Sequence, residues 1–324
     1  MLESAGMTAL TALTLTVGLC PAFAYSPADP LPLAYEDARA VLRLDGPQSP
    51  AAIPAAPAAQ PRPVAMSPTQ DDGKRFYLKD QDIDADAHHL DHDRIFGQYV
   101  DGFNRFILQG IDTVQKSALD GGGYFIGPHA VPPESPIGYA LSLFGNPLLV
   151  PPRKTSFCTG ASYSALIEAL DRIFAGTSRA LSEDRAEAMR MQEPDGSRRE
   201  DGVKFWGRWN GDENGILQAL VNYSKMGTVV SQEQARPGDF MNISWKNGLG
   251  HAVVFLGWLR AKDGSQQVLY WSSQTGTNGL GDQISDMRRI RETTIVRLTQ
   301  PDDLFTFDVN PAAIVMKGFP FDPD

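Results

Sequence analysis

Two side chains in this sequence have the types and setting for nucleophilic chemistry. Cys158 stands in Thr155-Ser156-Phe157-Cys158-Thr159-Gly160-Ala161-Ser162, just ahead of Tyr163 to Leu170, where Leu166, Ile167 and Leu170 share one helical face. With Ser156 as the N-cap, the thiol falls in the first helical turn. Unsatisfied backbone N–H groups and the helix dipole favour a thiolate there, so the expected pKa is lowered and the sulfur is a nucleophile near neutral pH. Gly160 and Ala161 keep the helix start narrow enough for a substrate to approach. The plainer alternative is a buried core thiol, a common fate of cysteine. His251 follows Gly250 and opens the apolar run Ala252 to Gly257, which reads as a strand. A histidine at a strand mouth, exposed on one side and held on the other, suits a general base that takes the thiol proton.

A third polar group should orient the imidazole. Ala261 to Ser265 reads as a turn and Gln266 to Ser273 as the returning strand. A hairpin centred near Asp263 sets residues around Gln274 opposite His251. Gln274 is the choice, because its side-chain oxygen can accept a ring N–H. Ser272 shares its strand face and Ser273 adjoins it, so both remain alternatives. Gly250 beside the histidine, and Trp206 within Phe205-Trp206-Gly207-Arg208-Trp209-Asn210, are the candidate substrate-binding positions. The same aromatics would also serve as core anchors.

Other elements must hold these residues in place. Ala235-Arg236-Pro237-Gly238-Asp239 reads as a turn feeding a strand at Phe240 to Ile243, and Trp245 to Gly250 as a hairpin loop. Residues 93–117 carry Ile95, Phe96, Tyr99, Phe103, Phe106, Ile107, Ile111 and Val114 at spacings of three and four, which predicts one helix with a core-facing stripe. Gly121-Gly122-Gly123 ends it. An irregular Gly- and Pro-rich stretch with His129 inside runs on to Pro152, and its length suggests a substrate wall. Ahead of the helix, Asp82, Asp84 and Asp86 precede His88, His89 and His92. Ala87 and Asp93 occupy the places where a calcium loop needs Gly and Glu. A solvated loop is expected there, with a transition-metal site as the lesser reading. No internal repeat is visible.

In this order, the segments resemble the NlpC/P60 and CHAP group of papain-like cysteine peptidases. Phe157-Cys158-Thr159-Gly160 is similar to that group's Asp-Cys-Ser-Gly, Arg236-Pro237-Gly238-Asp239-Phe240 to its Arg-Pro-Gly-Asp-Leu, and Gly250-His251 to its Gly-His-Val. The likeness covers roughly residues 150–300. Phe157 replaces the usual Asp, and Gln274 stands where His or Asn is usual. The resemblance implies an α+β fold, with a helix carrying Cys158 packed on an antiparallel sheet carrying His251, preceded by a helical extension. It also implies a thiol hydrolase of amide bonds, commonly in the peptide part of peptidoglycan, that needs no metal or organic cofactor. Its partner would be peptidoglycan or a peptide substrate.

Composition bounds these readings. The chain has 324 residues, 42% of them hydrophobic and 21% charged, enough for a sizeable core without disulfide staples. A formal net charge of −10 argues against broad nucleic-acid binding. Thr8 to Cys20 is mostly apolar and is followed by Ala22-Phe23-Ala24, which reads as a signal peptide over 1–24 and a secreted or periplasmic protein. After its removal no membrane span is expected, and Cys158 is the lone thiol. Eleven of the 24 prolines lie between Pro21 and Pro68, so 25–70 is expected to be a disordered linker. A helical extension over 71–150 and the hydrolase domain over 151–324 complete the expected organisation.

Overall fold

A computed structural model describes residues 75–79, 83, 88–118, 123–124, 139–149, 155–189 and 215–309. All of them fall within a unit spanning 33–324. The expected signal peptide and linker, Asp82, Asp84, Asp86, His129 and Trp206 lie outside the described residues. Among those described, no helix is long and apolar enough to cross a membrane.

The chain enters through α1 (His92–Phe96), a short 3-10 turn (Gly97–Tyr99) and α2 (Asn104–Ser117). The single helix expected over 93–117 is therefore two. The break falls at Val100–Phe103, where Val100 turns extended and Gly102 takes a left-handed φ of +64° that redirects the chain. The apolar stripe still does its work, since Phe96, Ile107, Ile111 and Val114 are fully buried.

A small hairpin, β1 (Leu141–Leu143) with β2 (Asn146–Leu149), precedes α3 (Cys158–Ile173). Every side chain of α3 from Cys158 to Ile167 is buried, so this helix lies inside the molecule. Its serines tolerate this because Ser162 and Ser164 donate back to the carbonyls of Cys158 and Gly160, at 3.1 and 2.5 Å. Helix α2 crosses it at close range, and a Cβ at Gly110 would come within 2.4 Å of the Ala165 carbonyl oxygen. Helix α4 (Glu183–Met189) and a helical turn running into a π-helical stretch (Gln218–Tyr223) lead to the sheet.

The sheet has six strands: β3 (Gly227–Val230), β4 (Phe240–Trp245), β5 (Gly250–Arg260), β6 (Gln266–Gln274), β7 (Gly279–Asp286) and β8 (Ile290–Leu298). Their order is β3-β8-β4-β5-β6-β7, antiparallel throughout. Alternation along the strands fills two cores. Ala252, Val254, Leu269 and Trp271 face the helices, packing with Ala161, Ala165 and Ile107. Val253, Phe255, Trp258 and Tyr270 fill a smaller core on the other face. The fold is α+β with an antiparallel sheet, and the helices ahead of Cys158 share the main core with that sheet.

The Pro-Gly-Asp turn locks these layers together. Gly238 needs its left-handed φ of +88°, and a Cβ there would lie 2.6 Å from the Asn104 carbonyl oxygen. Buried Asp239 accepts from Asn104 Nδ2 of α2 at 2.8 Å, from Arg297 of β8 at 2.7 and 2.8 Å, and from the Arg236 N–H at 2.8 Å. One carboxylate thus joins a helix, a distant strand and its own turn.

Candidate active site

Cys158 is the first residue of α3, where the sequence places it, but Ser156 is not its cap. Phe157 holds the N-cap position in extended geometry, without a side-chain cap. The Ser156 hydroxyl instead pairs with Ser273 Oγ at 2.7 Å. This ties the start of the helix to β6 on the helix-facing side of the sheet.

The register of β5 and β6 brings the other candidates to the same end of the sheet. Pairing runs from Arg260↔Gln266 to Val254↔Trp271, with a one-residue bulge between Phe255 and Gly257. Without the bulge, the turn would set Thr275 opposite His251; the shift aligns Gln274 there instead. Phe255 exchanges hydrogen bonds with Asp239 and Gly238 on its β4 side. The amide of Ala252, three residues earlier, therefore points toward β6. Beyond the Val254↔Trp271 pair, the Ser272 hydroxyl donates to the Ala252 carbonyl at 2.7 Å. The Ala252 N–H faces the sulfur of Cys158.

Cys158 thus meets β5 at the residue after His251. It does so edge-on. Helix α3 covers the face of Ala252 and Val254, whereas His251 shares the opposite face with Val253 and Phe255. Its ring lies 5.6 Å from that of Tyr270 and 6.5 Å from that of Trp245. Gln274 and Ser272 are on the His251 face by alternation; Ser273 is on the helix face. Gly250, the expected substrate contact, is half-buried at the start of β5.

The electrostatics correct two expectations. Burial pushes the Cys158 thiol up to about 12, against the pull of the Ala252, Thr159 and Cys158 backbone N–H groups, which favour the thiolate. The helix start supplies two of those donors, as expected, and β5 the third, but loss of water outweighs them. His251 is 8% exposed rather than open on one side, and burial lowers it to about 4. Gln274 favours the imidazolium only weakly. Its Oε1 and His251 Nε2 are both buried without a hydrogen-bond partner, while its Nε2 donates to Thr277 Oγ1 and the Gly281 carbonyl at 2.7 and 2.9 Å. At neutral pH the pair is a neutral thiol and a neutral imidazole.

Two tyrosines near the sulfur escaped the sequence reading. Tyr124 stacks on Phe157 at 5.8 Å, and burial and Cys158 both raise its phenol. Burial and Cys158 likewise contribute to lifting Tyr270 to about 12. Nothing local marks either residue, since each reaches the site through a long-range packing contact.

The expected solvated loop is overturned at His89 and His92, while His88 and Leu90 are exposed. His89 and His92 are 7% and 1% exposed, and both Nε2 atoms lie 2.8 Å from Asp282 of β7. His92 Nδ1 lies 2.7 Å from Asp112 of α2. Burial pulls His92 down, but Asp282 and Asp112 outweigh it and raise the ring to about 9. Burial likewise raises Asp282, and the two histidines outweigh it and lower the carboxyl.

No family model matches the chain. Neither a curated protein nor a solved structure matches it. The functional reading therefore stands on the site's own geometry and on the sequence motifs.

Proposed function

We propose that this chain is a secreted or periplasmic cysteine hydrolase of amide bonds, built on a papain-like core of the NlpC/P60 type. We further propose that it acts on the peptide part of peptidoglycan. The observation that carries this reading is the meeting of the α3 start with the β5 start: Cys158 sulfur faces the Ala252 N–H, in the residue next to His251, and Gln274 of β6 acts on the His251 ring. In the reaction, Cys158 sulfur attacks the amide carbonyl as His251 takes the thiol proton. His251 then gives that proton to the leaving amine as the C–N bond breaks. Water attacks the resulting thioester, His251 accepts its proton, and the thiol is restored. The Cys158 backbone N–H, at the helix start, would steady the oxyanion. Because the resting pair is neutral, proton transfer accompanies C–S bond formation, with no preformed thiolate.

The test is a digest of purified peptidoglycan by the protein, read by mass spectrometry beside Cys158→Ala. New peptide fragments made only by the wild type support the reading and identify the bond. Intact peptidoglycan with cleavage or acyl transfer on protein substrates would move the thiol chemistry to a peptidase, deamidase or acyltransferase.

The burial of both groups favours a second reading, a secreted binding protein on the same scaffold with an inert thiol. Intact substrates together with alkylation of Cys158 that requires unfolding would decide for it.

A further inference from the structure

We propose that His89, His92 and Asp282 bind one divalent transition-metal ion of the zinc class, and that this ion clasps the segment ahead of α2 to the edge strand β7. The proposal is independent of the hydrolase reading.

The three side chains offer ligand atoms that all lie within 4.8 Å of one another. Both imidazole Nε2 atoms converge on one carboxylate, His89 on Oδ2 and His92 on Oδ1, each at 2.8 Å. The rings stand 4.3 Å apart, tilted by 30°. Zinc ligands of these types sit about 2.0–2.2 Å from the metal and therefore about 3.4 Å from each other in a tetrahedral arrangement. The two imidazole–carboxylate contacts would lengthen from 2.8 Å by about 0.6 Å to reach that spacing.

Asp112 supplies the outer support that a metal-bound histidine commonly has. Its Oδ1 takes both the His92 backbone N–H at 2.8 Å and His92 Nδ1 at 2.7 Å, and its Oδ2 takes the Asp93 N–H at 3.0 Å. This fixes the His92 proton on Nδ1 and turns the Nε2 lone pair toward Asp282. Two lone pairs cannot face each other at 2.8 Å without a positive charge between them. Either a proton or a metal ion supplies it.

On binding, the ion takes the place of the proton between His92 Nε2 and Asp282, and two histidines and a carboxylate replace water on the metal.

The location points to a structural role. His89, His92 and Asp282 side chains are 5%, 1% and 6% exposed. Asp282 lies on β7, the outermost strand of the sheet, where an uncovered edge needs protection. His88 Nδ1 meets the Leu280 carbonyl of the same strand at 2.8 Å. The ligand set of nitrogen and carboxylate oxygen selects zinc, cobalt or nickel over magnesium or calcium.

The experiment uses the full chain, stripped with a chelator and then titrated with zinc or cobalt(II) chloride. Bound metal is counted by mass spectrometry after dialysis, and cobalt geometry is read from its visible spectrum. The expected result is one ion per chain with tetrahedral d–d bands and a higher melting temperature with zinc than with magnesium. Cys158→Ala should keep the ion. Asp112→Asn should weaken binding by about 10–100-fold, and Asp282→Asn should reduce it to background. Wild-type protein with no bound metal and no zinc-dependent melting shift overturns the proposal, leaving a salt-linked imidazolium. Loss of the ion in Cys158→Ala, or its retention in Asp282→Asn, also overturns it by placing the metal elsewhere.

Discussion

The molecule holds two buried imidazoles that end in opposite charge states. His251 and His92 are both sealed from water, yet burial lowers the first to about 4 and two carboxylates raise the second to about 9. The difference lies in their partners. Around His251 stand Tyr270, Trp245 and an amide oxygen with no formed bond. Around His92 stand Asp112 and Asp282, each within hydrogen-bonding distance. Desolvation acts alike on both rings, so the neighbouring charges decide. The neutral ring can accept a proton, whereas both nitrogens of the other ring already lie against carboxylates.

The comparison breaks most visibly if Cys158 is not the nucleophile. Cys158→Ala is expected to lower peptidoglycan cleavage by roughly 10³-fold or more, measured from released peptides, with the far-ultraviolet dichroism unchanged. Equal cleavage by the variant would remove His251 from any catalytic role with it.

The pH dependence of stability is the next largest effect. An unfolded histidine takes up a proton near 6.5 and folded His251 only near 4, so between these values the unfolded state binds more protons. Its contribution is whole above pH 6.5 and is lost as pH falls toward 4, by about 3 kcal/mol in all. Urea unfolding across that window should show the loss in the wild type and a flatter profile in His251→Asn. Cys158 acts at the other end. The unfolded thiol ionises near 9 and the folded one near 12, so its contribution falls as pH rises through that interval.

Giving His251 a carboxylate sharpens the contrast. Gln274→Glu sets an acid where Gln274 now lies and should raise the His251 pKa by roughly 1–3 pH units, followed by the imidazole proton shifts in nuclear magnetic resonance. A ring that still titrates near 4 would show that Gln274 does not face it. The smallest effect belongs to the tie between helix and sheet. Ser273→Ala removes the hydroxyl that pairs with Ser156 and should cost about 1 kcal/mol in urea unfolding.

Much of the frame was legible in the residues. The apolar run Ala252 to Gly257 and the returning segment Gln266 to Ser273, with a turn at Ala261 to Ser265, identified β5 and β6, because apolar runs and turn chemistry are local properties. The helix behind Cys158 was equally plain. The break between α1 and α2 was not, since the apolar spacing runs across Gly102 without interruption. The bulge at Phe255–Gly257 left no mark either, yet it is what aligns Gln274 with His251.

The charge states were beyond the sequence for a different reason. Residue types and spacing by themselves determined that a thiol opens a helix, that a histidine opens a strand and that a Pro-Gly-Asp turn precedes it. Only the tertiary structure decided that backbone N–H groups would lose to burial at Cys158, that His251 would be neutral, and that His89 and His92 would leave the surface to meet Asp282. Desolvation depends on everything packed around a group, and Asp282 lies 190 residues from His92. A pKa is therefore set by neighbours that share space and not sequence.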